Sequence, residues 1–222
     1  MENQSLLDFS DYLSANVKAL FSLNPFKYSR DEIIPKFGNK TENLAIPEQV
    51  HSAVVEIAKL PGIYPAADGL VTTSSDILLT LKVADCVPVF LFDPRKRIIG
   101  LVHSGWKGTV ENIVQNAIRL MQKNGAETED IRCYLGPAIG TCCYEVDGEV
   151  ARKFDDKAKV KINERKWKVG LHDQISLQLV EMGIPAQNIG VSNMCTYELP
   201  KCHSYRRDGE NAGRMFAFLG LT

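Results

Sequence analysis

Two apolar runs separated by a short polar turn most constrain the fold of this 222-residue chain. The runs are Val87 to Phe92 and Ile98 to Val102, and Asp-Pro-Arg-Lys-Arg stands between them. Runs of this length around a turn signal predict two buried strands joined as a hairpin. Cys86 stands where the first strand begins and His103 where the second ends. Because the start of one hairpin strand lies beside the end of the other, Cys86 and His103 are predicted neighbours.

The remaining hydrophobic patterns predict a mixed α/β fold. Apolar segments between Gly69 and Ser104 predict the strands of a sheet, and strands alternate with helices after residue 100, which favours a mixed sheet over a purely parallel one. A loop-rich segment is predicted to run to about Glu48. The predicted helices cover residues 5–21, 109–124 and 172–182, the last two ended by Gly125 and Gly183, and further strands are predicted within residues 131–140, 189–197 and 215–221.

Composition favours a single domain, residues 1–222, that acts on small molecules. The chain is 45% hydrophobic and 24% charged, with no linker-like stretch to divide it. A net charge of −1, with both signs mixed, argues against nucleic acid or an anionic membrane as the main partner. The N-terminal sequence reads as neither a secretion signal nor a membrane span, so a cytoplasmic location is expected.

In a reducing compartment the six cysteines are expected to be thiols, and no Cys-x-x-Cys occurs. Cys133 is predicted to lie in the core. The sequence does not decide whether Cys195 and Cys202 line a pocket or have no functional role.

Histidine and cysteine residues supply a candidate metal site. Imidazole and thiolate are the donors that zinc and copper favour, and a catalytic site keeps one position open. Of the four histidines, His51 stands at a loop-to-strand boundary and joins Cys86 and His103 as a candidate His/Cys/His set. Taken singly, His51 and Cys86 are more often structural residues. His172 is expected to be exposed or a helix cap, and His203 is open between a surface and a functional role.

Glycine-rich turns and a basic segment are candidate anion-binding features. The turn Gly-Trp-Lys-Gly leads into the predicted helix 109–124, and it is read either as a tight turn or as a close backbone approach to an anion. Near the C-terminus stand Arg206, Arg207 and Arg214. These arginines fit either a solvated turn or a site for phosphate or carboxylate.

The chain contains, in this order, the five motifs QVHS, TLKVADCVPVFLFD, GLVHSGWKGTV, YLGPAIGTCCYEV and SYRRDGENAGRMFAFLGL. Together they resemble the motifs of the YfiH-like laccase-domain family, and the resemblance covers residues 45–222. It implies an α/β fold of mixed sheets sandwiched by helices, related in shape to cysteine-hydrolase toxins. It also implies that His51, Cys86 and His103 hold a metal, zinc, with copper as the alternative.

Members of this family were once described as multicopper polyphenol oxidases and later as zinc-dependent purine nucleoside phosphorylases. The resemblance therefore implies phosphorolysis of adenosine, inosine and guanosine, cleavage of 5'-methylthioadenosine, and deamination of adenosine. Beyond the metal ligands, the one catalytic candidate is a water on the metal. Lys107, Arg206 and Arg207 are candidates to position phosphate. Lys107 replaces an arginine usual in relatives, and residues 1–44 lack their Ser-Thr-Arg-x-Gly-Gly stretch, which leaves the substrate range open.

Three other functions are compatible with parts of the sequence. In a cysteine hydrolase or deamidase, Cys86 would be the nucleophile and His103 its base. A copper-dependent phenol oxidase would need more histidines than the four present. A non-catalytic binding module would keep the pocket without turnover. The expected partners are a nucleoside and phosphate, bound by a monomer or weak oligomer.

Overall fold

The computed structural model describes residues 6–24, 36–37 and 42–222. In this part of the chain the strands are β1 Leu6–Asp8, β2 Val17–Ser22, β3 Leu44–Pro47, β4 Val55–Ile57, β5 Gly62–Tyr64, β6 Gly69–Thr72, β7 Leu78–Val83, β8 Val87–Asp93, β9 Ile98–Ser104, β10 Arg132–Leu135, β11 Glu145–Asp147, β12 Lys159–Lys161, β13 Lys166–Val169, β14 Ile189–Val191 and β15 Met215–Leu221. The helices are α1 Ser10–Leu13, α2 Trp106–Val110, α3 Ile113–Lys123, α4 Gly148–Ala151, α5 Leu171–Glu181 and α6 Tyr205–Asp208, with 3₁₀ turns at Asp156–Ala158, Ala186–Asn188 and Gly209–Asn211.

These strands form two six-stranded sheets and one small sheet. The first sheet has the order β1-β2-β15-β7-β3-β5, the second β14-β10-β8-β9-β6-β4, and the small one β11-β13-β12. Most neighbours are antiparallel, but β3 pairs in parallel with β5 and β7, β4 with β6, and β10 with β14. The predicted mixed α/β fold is confirmed.

Strand β8 shows where the two main cores lie. Val89 and Leu91 point into a core shared with α3 and α5, whereas Phe90 and Phe92 point into a core shared with β2, β7 and β15 of the first sheet. Because both faces of β8 are buried, its sequence is a continuous apolar run without polar alternation. The two main sheets therefore pack face to face, and α3 and α5 cover the outer face of the second.

The predicted hairpin is confirmed by its register. Strands β8 and β9 pair antiparallel, with Val87 opposite Ser104 and Pro88 opposite His103. The glycine stops are confirmed as well, because Gly125 and Gly183 follow α3 and α5 with φ of 99° and 90°. Backbone with such φ values follows many helices and favours glycine.

The predicted helix over residues 5–21 is wrong. Most of that segment is β1, the single turn α1, and β2, whose Phe21 lies opposite Ala217 of β15. Pairing with the edge of β15 supplies long-range hydrogen bonds and buries both faces of β2, which overrides the weak helical pattern. Part of the predicted loop-rich segment lies outside the described residues.

The predicted helix 109–124 is interrupted. Asn112 has a φ of 61° and separates α2 from α3. The side chain of Gln178 secures this break by donating to the Thr109 carbonyl at 2.7 Å and to Asn112 Oδ1 at 2.9 Å. No helix in the described part of the chain is long and apolar enough to cross a membrane.

Three crossovers between the main sheets determine where a site forms. Strands β3, β5 and β7 run parallel in the first sheet, so their C-terminal ends lie at one edge. Each is followed in the chain by a strand of the second sheet, namely β4, β6 and β8. The connecting segments 48–54, 65–68 and 84–86 therefore cluster at this edge.

Candidate metal centre

The three predicted ligands meet at this edge. Cys86 ends the crossover into β8, His103 is the penultimate residue of β9, and His51 lies on the crossover from β3 to β4. One ligating atom of each lies within 4.8 Å of those of the other two. The imidazole rings of His51 and His103 have their centroids 4.9 Å apart, at an interplanar angle of 77°. We call these three residues the His/Cys/His group.

The buried carboxylate of Asp68 fixes two members of this group. Its Oδ1 accepts hydrogen bonds from His103 Nδ1 at 2.8 Å and from the His51 backbone N–H at 2.9 Å. Its Oδ2 accepts from the backbone N–H groups of Val50 and Ser52 at 3.1 and 2.7 Å, and from Ser52 Oγ at 2.9 Å. Asp68 is not among the residues predicted from sequence, where its one signal is an acidic residue directly before an apolar strand.

The hydrogen bonds to Asp68 set its protonation and that of His103. Burial raises the pKa of Asp68, but the bonds from His103 and Ser52 outweigh burial and lower it to about 2. Asp68 is therefore ionised near neutral pH and accepts a hydrogen bond from the N–H that His103 carries on Nδ1. Because Nδ1 is engaged with Asp68, Nε2 is the ring nitrogen that His103 can present to a metal.

The Cys86 thiol and the buried His103 imidazole shift each other's pKa. Burial raises the pKa of Cys86, but His103 and His51 outweigh burial and lower it to about 6. Burial lowers the pKa of His103, but Cys86 and Asp68 outweigh burial and raise it to about 9. Without a metal, Cys86 and His103 are therefore a thiolate and imidazolium pair near neutral pH, and thiolate is also the form of cysteine that binds metals.

Unusual backbone conformations place the residues around the group. Gln49, His51 and Asp85 have φ values of 64°, 61° and 87°, a region that non-glycine residues rarely adopt. The Gln49 side chain secures its turn through two hydrogen bonds to the Lys82 backbone, donating to the carbonyl at 2.7 Å and accepting from the N–H at 2.9 Å. Left-handed conformations stabilised in this way are typical of functional sites.

Asp85, next to Cys86, ties a distant segment to the site. Its buried carboxylate accepts hydrogen bonds from Thr196 Oγ1 at 2.6 Å, from Ser204 Oγ at 3.0 Å and from the Arg206 backbone N–H at 2.7 Å. These bonds hold α6 against the crossover before β8. The aspartate of the Ala-Asp-Cys motif therefore positions the basic segment beside the His/Cys/His group.

A cavity of about 630 Å³ opens onto the group. Cavities of this size are typical of small-molecule sites. Its wall contains all three members of the group together with aromatic, basic and small apolar side chains. The other lining residues are Gln49, Lys82, Val83, Ala84, Asp85, Trp106, Ile139, Tyr144, Leu171, Tyr205, Arg206 and Arg214.

Of the three basic residues proposed to bind phosphate, Arg206 alone lines this cavity. Its guanidinium stacks over Tyr144 at 4.9 Å from the ring centroid and donates to the Glu145 carbonyl at 2.7 Å. The guanidinium of Arg207 instead donates to backbone carbonyls of its own loop and pairs with Asp208, and its role in phosphate binding stays a prediction.

Lys107 does not line the cavity either, and its Nζ lies over the Trp106 ring at 5.8 Å from the ring centroid. Lys82 and Arg214 supply cationic side chains to the wall instead. Gly105 of the predicted Gly-Trp-Lys-Gly turn is the N-cap of the five-residue helix α2, and the other three residues of that stretch lie within the helix. Added Cβ atoms at Gly105 and Gly108 would lie 2.9 Å from Cys86 Sγ and 3.0 Å from the Ser52 carbonyl oxygen, so close packing accounts for both glycines.

The other two histidines have structural surroundings. His172 was expected to be exposed or a cap, but it is half-buried and its Nε2 lies 2.9 Å from the Gly136 carbonyl, while burial lowers its pKa. His203 is half-buried against Gly213, where an added Cβ would come within 2.5 Å of the ring. Neither histidine lines the cavity.

The chemistry of the His/Cys/His group fits a metal. Two imidazoles and one thiolate are donors that zinc and copper accept, and three protein ligands leave a fourth position open toward the cavity. The bond from His103 Nδ1 to Asp68 is the carboxylate–histidine arrangement common behind metal sites. Gly105 completes the fit, because a Cβ there would lie 2.9 Å from Cys86 Sγ and 3.3 Å from His51 Cδ2.

Comparison with known proteins gives consistent matches. The family model described as multi-copper polyphenol oxidoreductase laccase matches residues 26–222. The purine nucleoside phosphorylase YlmD of Bacillus subtilis is 35% identical over 164 residues, which cover 70% of this chain and 59% of that relative. A purine nucleoside phosphorylase of Deinococcus radiodurans is 34% identical over 198 residues, covering 89% of this chain and 78% of the relative. Adenosine deaminase RL5, from an unknown prokaryotic organism, is 32% identical over 200 residues, covering 82% and 76%.

Solved structures match the fold throughout. The crystal structure of the hypothetical protein YfiH from Bacillus licheniformis has a TM-score of 0.93 at 28% identity, covering 100% of this chain and 98% of that one. YlmD from Geobacillus stearothermophilus has a TM-score of 0.83 at 28% identity, covering 93% and 92%.

Proposed function

The chain belongs to the multi-copper polyphenol oxidoreductase laccase family, and from this membership we propose that it is a zinc-dependent purine nucleoside phosphorylase that also deaminates adenosine. The resemblance found in the five motifs is confirmed by the family match. Relatives named purine nucleoside phosphorylase and adenosine deaminase support the two activities. The proposed substrates are adenosine, inosine, guanosine and 5'-methylthioadenosine, with phosphate as the second substrate.

One observation carries this proposal: the His/Cys/His group lies in the wall of a cavity of about 630 Å³ that also presents aromatic and cationic side chains. When bound, zinc would supply Lewis acidity to an oxygen of phosphate or water at its open position. Copper remains the alternative ion for these donors. We also propose a cytoplasmic location and a monomer or weak oligomer, as the amino-acid sequence predicts.

The chain's own residues have distinct tasks in this proposal. Asp68 keeps the His103 proton on Nδ1 and so presents Nε2 to the metal. Trp106, Tyr144 and Tyr205 offer faces on which a purine base could stack. The positive charges of Lys82, Arg206 and Arg214 would attract phosphate. They would also stabilise negative charge that develops on the leaving purine as the glycosidic bond breaks.

Product identification tests the proposal directly. Protein loaded with zinc is incubated with adenosine, with and without phosphate, and the products are separated chromatographically. Adenine and ribose 1-phosphate that form only with phosphate demonstrate phosphorolysis, and inosine demonstrates deamination. The absence of all three products from zinc-loaded, folded protein would refute the proposal.

The paired charges of Cys86 and His103 favour a second candidate, a cysteine hydrolase or deamidase. Cys86 has a pKa lowered to about 6 beside an imidazole whose pKa is raised to about 9, as an activated nucleophile requires. Alkylation with iodoacetamide separates the candidates. The metal proposal predicts that zinc protects Cys86 and that a chelator exposes it, whereas a nucleophile would react equally with and without zinc.

A further inference from the structure

A second set of metal-ligating side chains lies outside the cavity. Sulfur atoms of Cys142, Cys143 and Cys195 and a carboxylate oxygen of Glu198 all lie within 4.8 Å of one another. None of these four residues lines the cavity that contains the His/Cys/His group. We call them the three-cysteine group.

Two chain segments distant in sequence build this group. Ala138 and Cys195 form an isolated parallel bridge, and the Thr196 backbone N–H donates to the Ala138 carbonyl at 3.0 Å. Gly140 turns the chain, since its carbonyl accepts from the N–H groups of Cys143 and Tyr144, both at 3.0 Å. The register of the bridge therefore places the adjacent cysteines of the turn over Cys195.

Gly140 also fits the turn to the sulfur atoms. An added Cβ there would lie 3.1 Å from Cys142 Sγ and 3.5 Å from Cys195 Sγ. The Gly140 backbone N–H donates to Cys195 Sγ at 3.3 Å, a contact that favours thiolate.

The spacing and the donor types fit a soft divalent cation. Tetrahedral zinc with Zn–S bonds of about 2.3 Å separates its sulfur ligands by about 3.8 Å. The Cys142 and Cys143 sulfurs are 3.3 Å apart and the whole group spans at most 4.8 Å, so the required separation lies within the observed range. Three thiolates select zinc over magnesium or calcium, and Glu198 supplies the fourth ligand.

We propose that the three-cysteine group is a second metal site, for Zn²⁺, that ties the turn at residues 140–143 to residues 195–198. Its position suggests a structural role. Ile139 and Tyr144, on either side of the turn, both line the cavity. A cation held by the group would fix this part of the cavity wall without contacting a substrate there.

Titration with Cd²⁺ tests the site, because each cadmium–thiolate bond adds ultraviolet charge-transfer absorption. Metal-free protein, kept reduced with a phosphine, is titrated while bound metal and absorption are recorded. The wild type is expected to bind two equivalents through four thiolates, one in the His/Cys/His group and three here. The Cys142→Ser/Cys195→Ser variant should lose one equivalent and about three quarters of the absorption. Cys86→Ala should instead lose about one quarter, so failure of either metal site is recognised separately.

Cys202→Ala is the matched control, since it removes a buried cysteine that belongs to neither group, and it should retain both equivalents. Circular dichroism checks that each variant is folded, and the exposed position of Cys142 allows Cys142→Ser alone to replace the double variant.

Binding of one equivalent by the reduced wild type, with absorption unchanged by Cys142→Ser, would overturn the proposal. So would a Cys142–Cys143 disulfide whose reduction adds no metal binding.

Discussion

At the scale of single residues, Asp68 determines the geometry of the candidate metal centre. One carboxylate accepts hydrogen bonds from the His103 ring, from the His51 backbone and from the turn around it. Two of the three proposed ligands thus depend on a residue that would not touch the metal. Such indirect partners are worth about 10- to 100-fold in metal affinity.

Asp68→Asn is expected to weaken zinc binding by about 10- to 100-fold. Asparagine keeps the size of the side chain, but its amide N–H₂ cannot accept the hydrogen bonds that Oδ2 receives from Val50 and Ser52. Competition with a chromogenic chelator measures the affinity. Asp93→Asn is the matched control, because Asp93 is also fully buried yet caps the turn between β8 and β9. Equal zinc affinity in Asp68→Asn and wild type would contradict this role.

At the scale of elements, the site exists because strands of the two sheets alternate along the chain. The crossovers after β3, β5 and β7 carry His51, Asp68 and Cys86, and the end of β9 adds His103. Close packing among these segments leaves no room at Gly105, which follows β9.

Gly105→Ala is therefore expected to displace the Cys86 thiol and reduce zinc affinity about tenfold or more. The Gly105 φ of −81° suits alanine, so the effect would come from the contact of 2.9 Å with Cys86 Sγ. Isothermal calorimetry with zinc measures the change. Gly148→Ala is the control, since its Cβ would first meet another residue at 3.7 Å and its zinc affinity should be unchanged. An unchanged affinity in Gly105→Ala would argue against a tightly packed site.

These elements also explain what the sequence could predict. The apolar runs of β8 and β9 and the turn between them fixed a local hairpin, and with it the proximity of Cys86 to His103. His51 belongs to a different crossover, so only its donor type and its position at a loop-to-strand boundary made it a candidate third ligand, and the family resemblance then strengthened that assignment. Asp68 was missed because its importance comes from hydrogen bonds between crossovers, which leave no local pattern.

At the scale of the whole molecule, one of the two main cores lies between the two six-stranded sheets. The N-terminal segment completes the first of these sheets. Strand β2 lies between β1 and β15, and Phe21 is fully buried in the core between the sheets. The helix predicted over residues 5–21 was wrong because local periodicity carries no information about a strand partner nearly 200 residues away. The extent of the domain over residues 1–222 stays a prediction.

The lowered pKa of Asp68 also predicts how the free energy of unfolding of metal-free protein depends on pH. Its folded pKa of about 2 lies below the ordinary value of 3.8, so its contribution is present above pH 3.8 and is lost as the pH falls toward 2. The difference in unfolding free energy between wild type and Asp68→Asn should therefore shrink by about 1 kcal/mol from pH 5 to pH 3. Urea unfolding at both pH values measures it. A difference that stays constant or grows would show that the ionised carboxylate does not stabilise the fold.

The most direct test of the central claim, that the His/Cys/His group holds the metal on which nucleoside turnover depends, is the zinc content and adenosine phosphorolysis rate of His51→Ala. His51 is exposed, so its truncation should leave the fold intact by circular dichroism. The variant is expected to lose one equivalent of zinc and at least about 100-fold in phosphorolysis, as Cys86→Ala should, because each removes a metal ligand. His203→Ala, which alters a histidine outside the cavity, should retain the wild-type zinc content and the wild-type phosphorolysis rate. A His51→Ala protein that phosphorolyses adenosine at the wild-type rate without that zinc would contradict the claim.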